Sequence, residues 1–307
     1  MLDVLVVGGG PAGLSAALML GRCRRRVVVV DAGAPRNARS HGVHGFLTRD
    51  GVQPGELLRL GREELRPYGV EVRHGTATDA RWDEDRFVIA LDGHAQVESR
   101  LILLATGVVD CLPSIEGMSE CYGRSVFHCP YCDGWEVRDA PLAVYARGRR
   151  GVGLAKALQT WSRDVAICTD GPARILSGEA TELRSRGIEV RQAPIERLEH
   201  TDGRLDAIVF RSGDRLERRA VFLNTGQYTR SPLAERLGCQ FTRRGAVRAS
   251  DLGETSVSRV YVAGDASRDV QFVVVAAAEG AKVAYAINVA LQAMGSGPAA
   301  APGAEER

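Results

Sequence analysis

The sequence lacks several things, and each lack excludes a class of protein. It has almost no net charge: 40 lysines and arginines against 38 acids leave +2 at pH 7, which argues against nucleic acid as an obligate partner. There is no basic leader or small-residue cleavage site, and Met1 runs straight into the apolar stretch "DVLVV", so no secretory signal is expected. No uninterrupted apolar run is long enough to cross a bilayer, and no membrane association is expected. The seven cysteines, at positions 23, 111, 121, 129, 132, 168 and 239, are odd in number and scattered, unlike a secreted disulfide framework. Cytoplasm is the expected compartment, where a close cysteine pair is more often catalytic or metal-binding than a staple. The cluster Arg22, Arg24, Arg25 and Arg26 reads as a solvated helix end, where cations suit the dipole.

What is present suggests about two globular domains. Hydrophobic residues make up 45% and charged ones 25% of the 307, the profile of a soluble protein. The 35 glycines point to tight strand-to-helix turns and close backbone approach to ligands.

The first of those turns is explicit. "DVLVVGGGPAGLSAALMLGRCRRRVVVVDAG" reads as strand, glycine loop, small-residue helix and second strand. Gly8 permits the tight turn, Gly10 lets the backbone approach a pyrophosphate, and Gly13 allows helix and strand to pack closely. Asp31, at the end of the second strand, can accept hydrogen bonds from ribose hydroxyls. Two further strand ends, Ala105-Thr106-Gly107 after "RLILL" and Gly264-Asp265 after "VYVA", sit where open parallel sheets bind ligands. The long helix "VVVAAAEGAKVAYAINVAL" reads as a buried core helix, or as a closing helix aimed at the ligand.

Residues 128–136, "HCPYCDGWE", hold two cysteines three apart. Zinc is one reading, with Cys111, Cys121, Cys129 and Cys132 as ligands, but structural zinc sites pair two tight knuckles and only one is here. A redox disulfide is the other. A helix start puts both sulfurs on one side of the first turn, tolerates Pro130 at N1, and favours thiolate. Asp133 can shuttle the accompanying proton, or merely serve as an N-terminal helix charge. Trp135 and Glu136 read as packing and capping residues.

The order "GGGPAG", "ATG", Cys-x-x-Cys-Asp-Gly and "AGD" resembles that of low-molecular-weight thioredoxin reductases. The stretches "DAGAPRNARSHGVHGFLTRDG", "FHCPYCDGWEVRD", "RSPLAERLG" and "VVVAAAEGAKVAYAIN" resemble the bacterial branch that includes FAD-dependent dithiol oxidases of disulfide natural-product pathways, the holomycin and gliotoxin type. The resemblance implies an α/β fold of two doubly wound, Rossmann-like dinucleotide-binding domains, the second inserted in the first. An FAD domain would span 1–112 and 229–292, with an NAD(P)-binding-like domain carrying the cysteines at 113–228 and crossings near Pro113 and Thr229. Residues 293–307 are expected to be a disordered tail.

It further implies Gly8, Gly10, Pro11, Ala12 and Gly13 on the FAD pyrophosphate, and Asp31 with Ala32 at the ribose. Arg36, Asn37 and Ala77 would lie near the adenosine, Ala105, Thr106 and Gly107 along the same face, and Gly264 with Asp265 on the ribityl chain. Gln271, Phe272 and Val273 would border the flavin pyrimidine, and His44 its loop side. Cys129, Cys132 and Asp133 would carry the redox chemistry, with a homodimer and a small-molecule dithiol as partners. Asp133 departs from the branch, many of whose members have histidine there.

The second βαβ stretch, "PLAVYARGRRGVGLAKALQTWSRDVAICTDG", is eroded. Arginines stand where the backbone should approach phosphate, and Cys168-Thr169-Asp170 replaces the basic group that neutralises a 2′-phosphate. NADPH binding is therefore doubtful, although Arg147, Arg149 and Arg150 offer an alternative phosphate grip. Three functions remain open: a dithiol oxidase, an NADPH-dependent reductase of a thioredoxin-like protein, and a non-enzymatic flavin redox sensor.

Overall fold

A computed structural model describes residues 1–267, 270–295 and 297. The chain divides into two compact units: Met1–Ala38, Gly45–Val109 and the chain from Tyr228 onward form the first, Arg39–His44 and Asp110–Gln227 the second. Segment 39–44, expected with the first domain, groups with the second because Arg39 donates to the Ser119 carbonyl (2.5 Å) and His44 reaches Glu136.

The first unit opens with β1 (Leu2–Val7), α1 (Pro11–Arg22) and β2 (Val27–Asp31). α2 (Pro54–Leu65) and β3 (Glu71–His74) follow, then an antiparallel meander of β4 (Ala77–Asp83), β5 (Arg86–Leu91) and β6 (Gln96–Leu104). β7 (Val108–Asp110) leads out. The second unit contains α3 (Met118–Cys121), β8 (Val126–Phe127), α4 (Pro130–Asp133), β9 (Leu142–Tyr145), α5 (Gly148–Leu158) and β10 (Val165–Cys168). Then come α6 (Ser177–Ser185), β11 (Glu189–Arg191), the antiparallel trio β12 (Ile195–Thr201), β13 (Arg204–Phe210) and β14 (Arg215–Glu217), and β15 (Ala220–Leu223). β16 (Gln227–Thr229) pairs with β7 on the way back to α7 (Leu233–Arg236), β17 (Val260–Val262) and α8 (Val273–Ala293).

Both units repeat one plan. The parallel order is β3-β2-β1-β6-β17 in the first and β11-β10-β9-β15-β8 in the second; the first sheet continues from β6 into the antiparallel β5 and β4, whereas β12-β13-β14 form a separate antiparallel sheet in the second unit. The central strands are near-continuous apolar runs because both faces are covered. In β1, Val4 and Val6 pack with α1 and α8 residues while Leu5 and Val7 face the other core, and all four are buried.

Register then gathers the candidate ligand residues. Val7 lies opposite both Val30 and Leu104, and Leu104 opposite Val262. The next residues, Gly8, Asp31, Ala105 and Ala263, therefore emerge in one row at the carboxyl edge of the sheet, where such sheets bind ligands.

One expectation needs correction. Arg25 is not solvated: it is 7% exposed and donates from Nε to Asn288 on α8 at 2.8 Å, because the end of α8 packs over it. Arg26 is held by Asp3 at 3.1 Å. α8, with 21 residues, is long and apolar enough for a membrane span by length and composition alone, although Glu279 and Lys282 interrupt its apolar run. α8 instead lies along α1, burying Ala276, Gly280, Val283, Ala284, Ile287 and Leu291. The tail expected beyond residue 293 falls outside the described residues except for 293–295 and 297.

Candidate active site

The first unit builds a cradle for an extended anionic ligand. Gly8 adopts φ +110°, and a Cβ there would strike the Ala105 carbonyl, so only glycine fits the turn. Gly10 is the reverse case. A Cβ would meet nothing within 4 Å, leaving open space at the N-terminus of α1. That terminus carries Pro11, no side-chain cap and no acid in its first turn, so its amides and dipole are available to a phosphate. A dinucleotide pyrophosphate fits this backbone.

Around the cradle, Asp31 lies against Gly9 and takes a 2.8 Å hydrogen bond from Arg62 of α2. Arg62 was not anticipated from the sequence, having no motif around it. Arg36 donates to Asp265 (3.0 Å) and to Gln271 (2.8 Å), both partly buried. The structure thus joins Arg36, expected at the adenosine, to two residues expected at the flavin end. The Gly264 amide donates to Glu279 of α8 at 3.0 Å, a second residue missed for want of a local signal. Ala12 backbone lies so close to Gly280 that a Cβ there would come within 3.0 Å of the Ala12 Cα. Ala77 is buried at the start of β4, Thr106 and Gly107 follow β6 half-buried, and Phe272 and Val273 start α8. Ala32 is exposed beyond β2, and Asn37 is half-buried. His44 lies in the second unit, its Nε2 3.5 Å from Glu136.

In that second unit Cys129 and Cys132 form a disulfide, with Cα atoms 5.2 Å apart. Cys129 caps α4 and Pro130 occupies its first turn, as the spacing predicts. The helix is a single turn, closed by the Gly134 amide on the Pro130 carbonyl at 2.8 Å, and a Cβ on Gly134 would strike the Trp161 ring. The dipole of α4 is correspondingly short, and the Cys132 and Asp133 amides are engaged by the Cys129 carbonyl, at 3.1 and 3.2 Å.

Asp133 has the most displaced carboxyl in the unit. Burial, reinforced by the Glu136 charge, raises it to about 7, the value suited to gaining and losing a proton near neutrality. Glu136 does not cap a helix but reaches His44, and Trp135 does not pack inward: it is 64% exposed, stacked by Arg138 at 4.1 Å.

Behind the pair lies a polar network the sequence did not announce. Asp110, its side chain 6% exposed, accepts from Tyr122 Oη (2.5 Å), Gln227 Nε2 (2.7 Å) and His128 Nε2 (3.1 Å). Asp110 and Gln227 are the first and last residues of the main segment of this unit, and His128 immediately precedes Cys129. Such a contact over 117 residues leaves no periodic trace. Of the other cysteines, Cys121, Cys168 and Cys239 are buried with thiols raised by desolvation, whereas Cys23 and Cys111 are exposed.

The second βαβ turn is built differently from the first. Arg147, the residue before α5, crosses to the end of β10: its Nε donates to the Thr169 carbonyl at 2.7 Å and its Nη2 to the Asp170 carbonyl. Asp170 in turn accepts from Tyr145 Oη (3.1 Å) and the Ile195 amide (2.8 Å). Arg149 pairs with Glu179 at 3.1 Å. Two of the three candidate phosphate-gripping arginines are therefore engaged with protein groups.

Comparison with known proteins agrees with this geometry. The model of the pyridine nucleotide-disulphide oxidoreductase family matches residues 2–280. Thioredoxin reductase sirT of Leptosphaeria maculans is 29% identical, covering 98% of this chain and 97% of its own. Thioredoxin reductase tcpT of Claviceps purpurea is 29% identical over 86% of each. Among solved structures, HlmI is 38% identical with a TM-score of 0.91, covering 95% of this chain and 93% of its own. An oxidoreductase from Agrobacterium tumefaciens is 30% identical with a TM-score of 0.88, over 95% and 98%. Two repeated dinucleotide-binding folds, a glycine cradle and a vicinal disulfide thus coincide with the matched region: the chain belongs to the pyridine nucleotide-disulphide oxidoreductases, as a thioredoxin-reductase-like, FAD-dependent thiol–disulfide oxidoreductase.

Proposed function

We propose that this protein is a dithiol oxidase that closes a disulfide in a small-molecule dithiol, drawing its electrons from that substrate and not from NADPH. The observation that carries the reading is the Arg147 strap. It occupies the carboxyl ends of β9 and β10 in the second unit with protein side chains and places Asp170 there, whereas the matching edge in the first unit is open at Gly10. An acid at that position disfavours a 2′-phosphate.

The chemistry on the chain's own residues is thiol–disulfide exchange. A substrate thiolate attacks Cys129 Sγ; the Cys129–Cys132 bond breaks, and Cys132 leaves as thiolate. The second substrate thiolate then attacks the substrate sulfur of the mixed disulfide and expels Cys129, so the substrate loses two electrons and the pair gains them. Asp133, half-protonated near neutral pH, supplies and removes the protons at Cys132. Gly8, Gly10, Gly13, Asp31 and Asp265 would hold FAD, and the chemistry that bound FAD supplies is re-oxidation of the pair, with dioxygen as final acceptor and hydrogen peroxide as by-product. A homodimer is part of the proposal, supported by the exposed apolar Val274, Tyr285 and Val289 on α8.

One observation favours the reductase alternative: a Cβ at Gly153, in α5, would meet open space. Oxygen uptake separates the two readings. Dithiothreitol or dihydrolipoamide should drive oxygen consumption with stoichiometric peroxide in the parent and not in the Cys129→Ser/Cys132→Ser variant. NADPH-driven reduction of a thioredoxin-like protein, with no dithiol-driven oxygen uptake, would overturn the proposal.

A further inference from the structure

Asp133 lines a cavity of ≈ 280 Å³ that lies wholly within the second unit. Its lining includes the buried Ser125 and Phe127, the polar segment of Ser40, His41, Gly42 and His44, Val137, and four charged side chains besides Asp133: Arg124, Arg204 and Arg219, all exposed, and Glu136. Glu136 is spent on His44. The Asp133 carboxyl is set by burial and by Glu136, and the arginines do not relieve it, so their charge is not consumed there.

The arginines differ from others in the same unit. Arg197, Arg215 and Arg218 are each paired with a carboxylate, at 2.7, 2.8 and 3.3 Å. Arg204 and Arg219 have no carboxylate partner among the described residues, and Arg124 is bound only to the Asp202 carbonyl at 2.8 Å. Unneutralised guanidinium groups at the mouth of a cavity form a fork for a planar anion.

We propose that this cavity is an anion subsite beside the redox pair and that the dithiol it serves carries a carboxylate. The inference rests on the dithiol-oxidising reading and narrows it. Arg204 and Arg219 grip the substrate carboxylate at the mouth, the Phe127 wall receives its apolar body, and its thiols are thereby held on the Asp133 side, next to Cys132. Arginine serves here better than lysine because the fork takes both carboxylate oxygens.

Dihydrolipoate and dihydrolipoamide test this, since they differ only in carboxylate against carboxamide. With the holoenzyme at pH 7.5, dihydrolipoate is expected to show a kcat/KM higher by about 5–10-fold, the scale of two exposed charge pairs. The Arg204→Gln/Arg219→Gln variant should abolish that ratio, and Arg204→Lys/Arg219→Lys should restore part of it. Calorimetric binding of the oxidised forms, lipoate against lipoamide, reads the same preference without turnover. If neither dithiol is oxidised but lipoate still binds preferentially and loses that preference in the Gln variant, the oxidase reading falls and the subsite stands. Equal binding of lipoate and lipoamide by the parent, or a preference that survives in the Gln variant, overturns the subsite.

Discussion

Replacing Asp133 by Asn should make the protein more stable and less active, and the gain in stability should depend on pH. The carboxyl is raised from its ordinary range to about 7, so the folded state holds a proton that the unfolded chain would release. The sign follows. Below about pH 4 the group is protonated in both states and costs nothing, and as pH rises to about 7 the folded state loses stability relative to the unfolded chain. A gap of about 3 pKa units corresponds to a ceiling of about 4 kcal/mol, and partial solvent access brings the expected value to about 2 kcal/mol. Asn, which cannot ionise, escapes that loss. For a chain of this size the difference is about 3–5 °C in Tm at pH 8.5, shrinking by about half at pH 5.5. Dithiol turnover should fall by about 10²–10⁴, with loss of the inflection near neutral pH. Glu136→Gln removes the like charge and should move that inflection to lower pH. Thermal unfolding of the holoprotein across this pH range reads the stability arm. A variant no more stable than the parent at pH 8.5, or a gain that does not grow with pH, would refute the assignment of a buried, proton-holding carboxyl.

Three other perturbations address other links. Gly280→Ala inserts a methyl against the Ala12 backbone; it should cost about 1–3 kcal/mol and lower the flavin-to-protein ratio on purification, because α1 carries the cradle. Asp110→Asn turns an acceptor of three hydrogen bonds into a group with its own donor, and a loss of about 1–3 kcal/mol should appear as a lower Tm. Cys129→Ser should leave Cys132 as a thiolate giving a long-wavelength charge-transfer band with oxidised flavin, and Cys132→Ser should give none; the reverse pattern would exchange the roles of the two sulfurs.

The sequence was most legible where chemistry is local. Gly8, Asp31, Ala105 and Gly264 could be read as strand ends because glycine and acid follow apolar runs, and strand register does bring Gly8, Asp31, Ala105 and Ala263, the residue before Gly264, into one row. Cys129–Pro130 at a helix start was legible for the same reason. What packs beside the end of that helix was not, since Trp161, which leaves no room for a side chain at Gly134, is distant in sequence. Arg25 was misread because its partner Asn288 is 263 residues away, and the Asp110 network and Arg62–Asp31 pair share that origin. Arg147 was seen as a misplaced bulky residue, but its strap across Thr169 and Asp170 needed the spacing of β9 and β10.

The account turns on where the electrons enter. Anaerobic mixing of the yellow holoprotein with dithiothreitol and, separately, with NADPH tests this directly by flavin absorbance. Bleaching by the dithiol, its loss in Cys129→Ser/Cys132→Ser, and no rapid bleaching by NADPH are the predicted results. Rapid bleaching by NADPH with none by the dithiol would contradict the account.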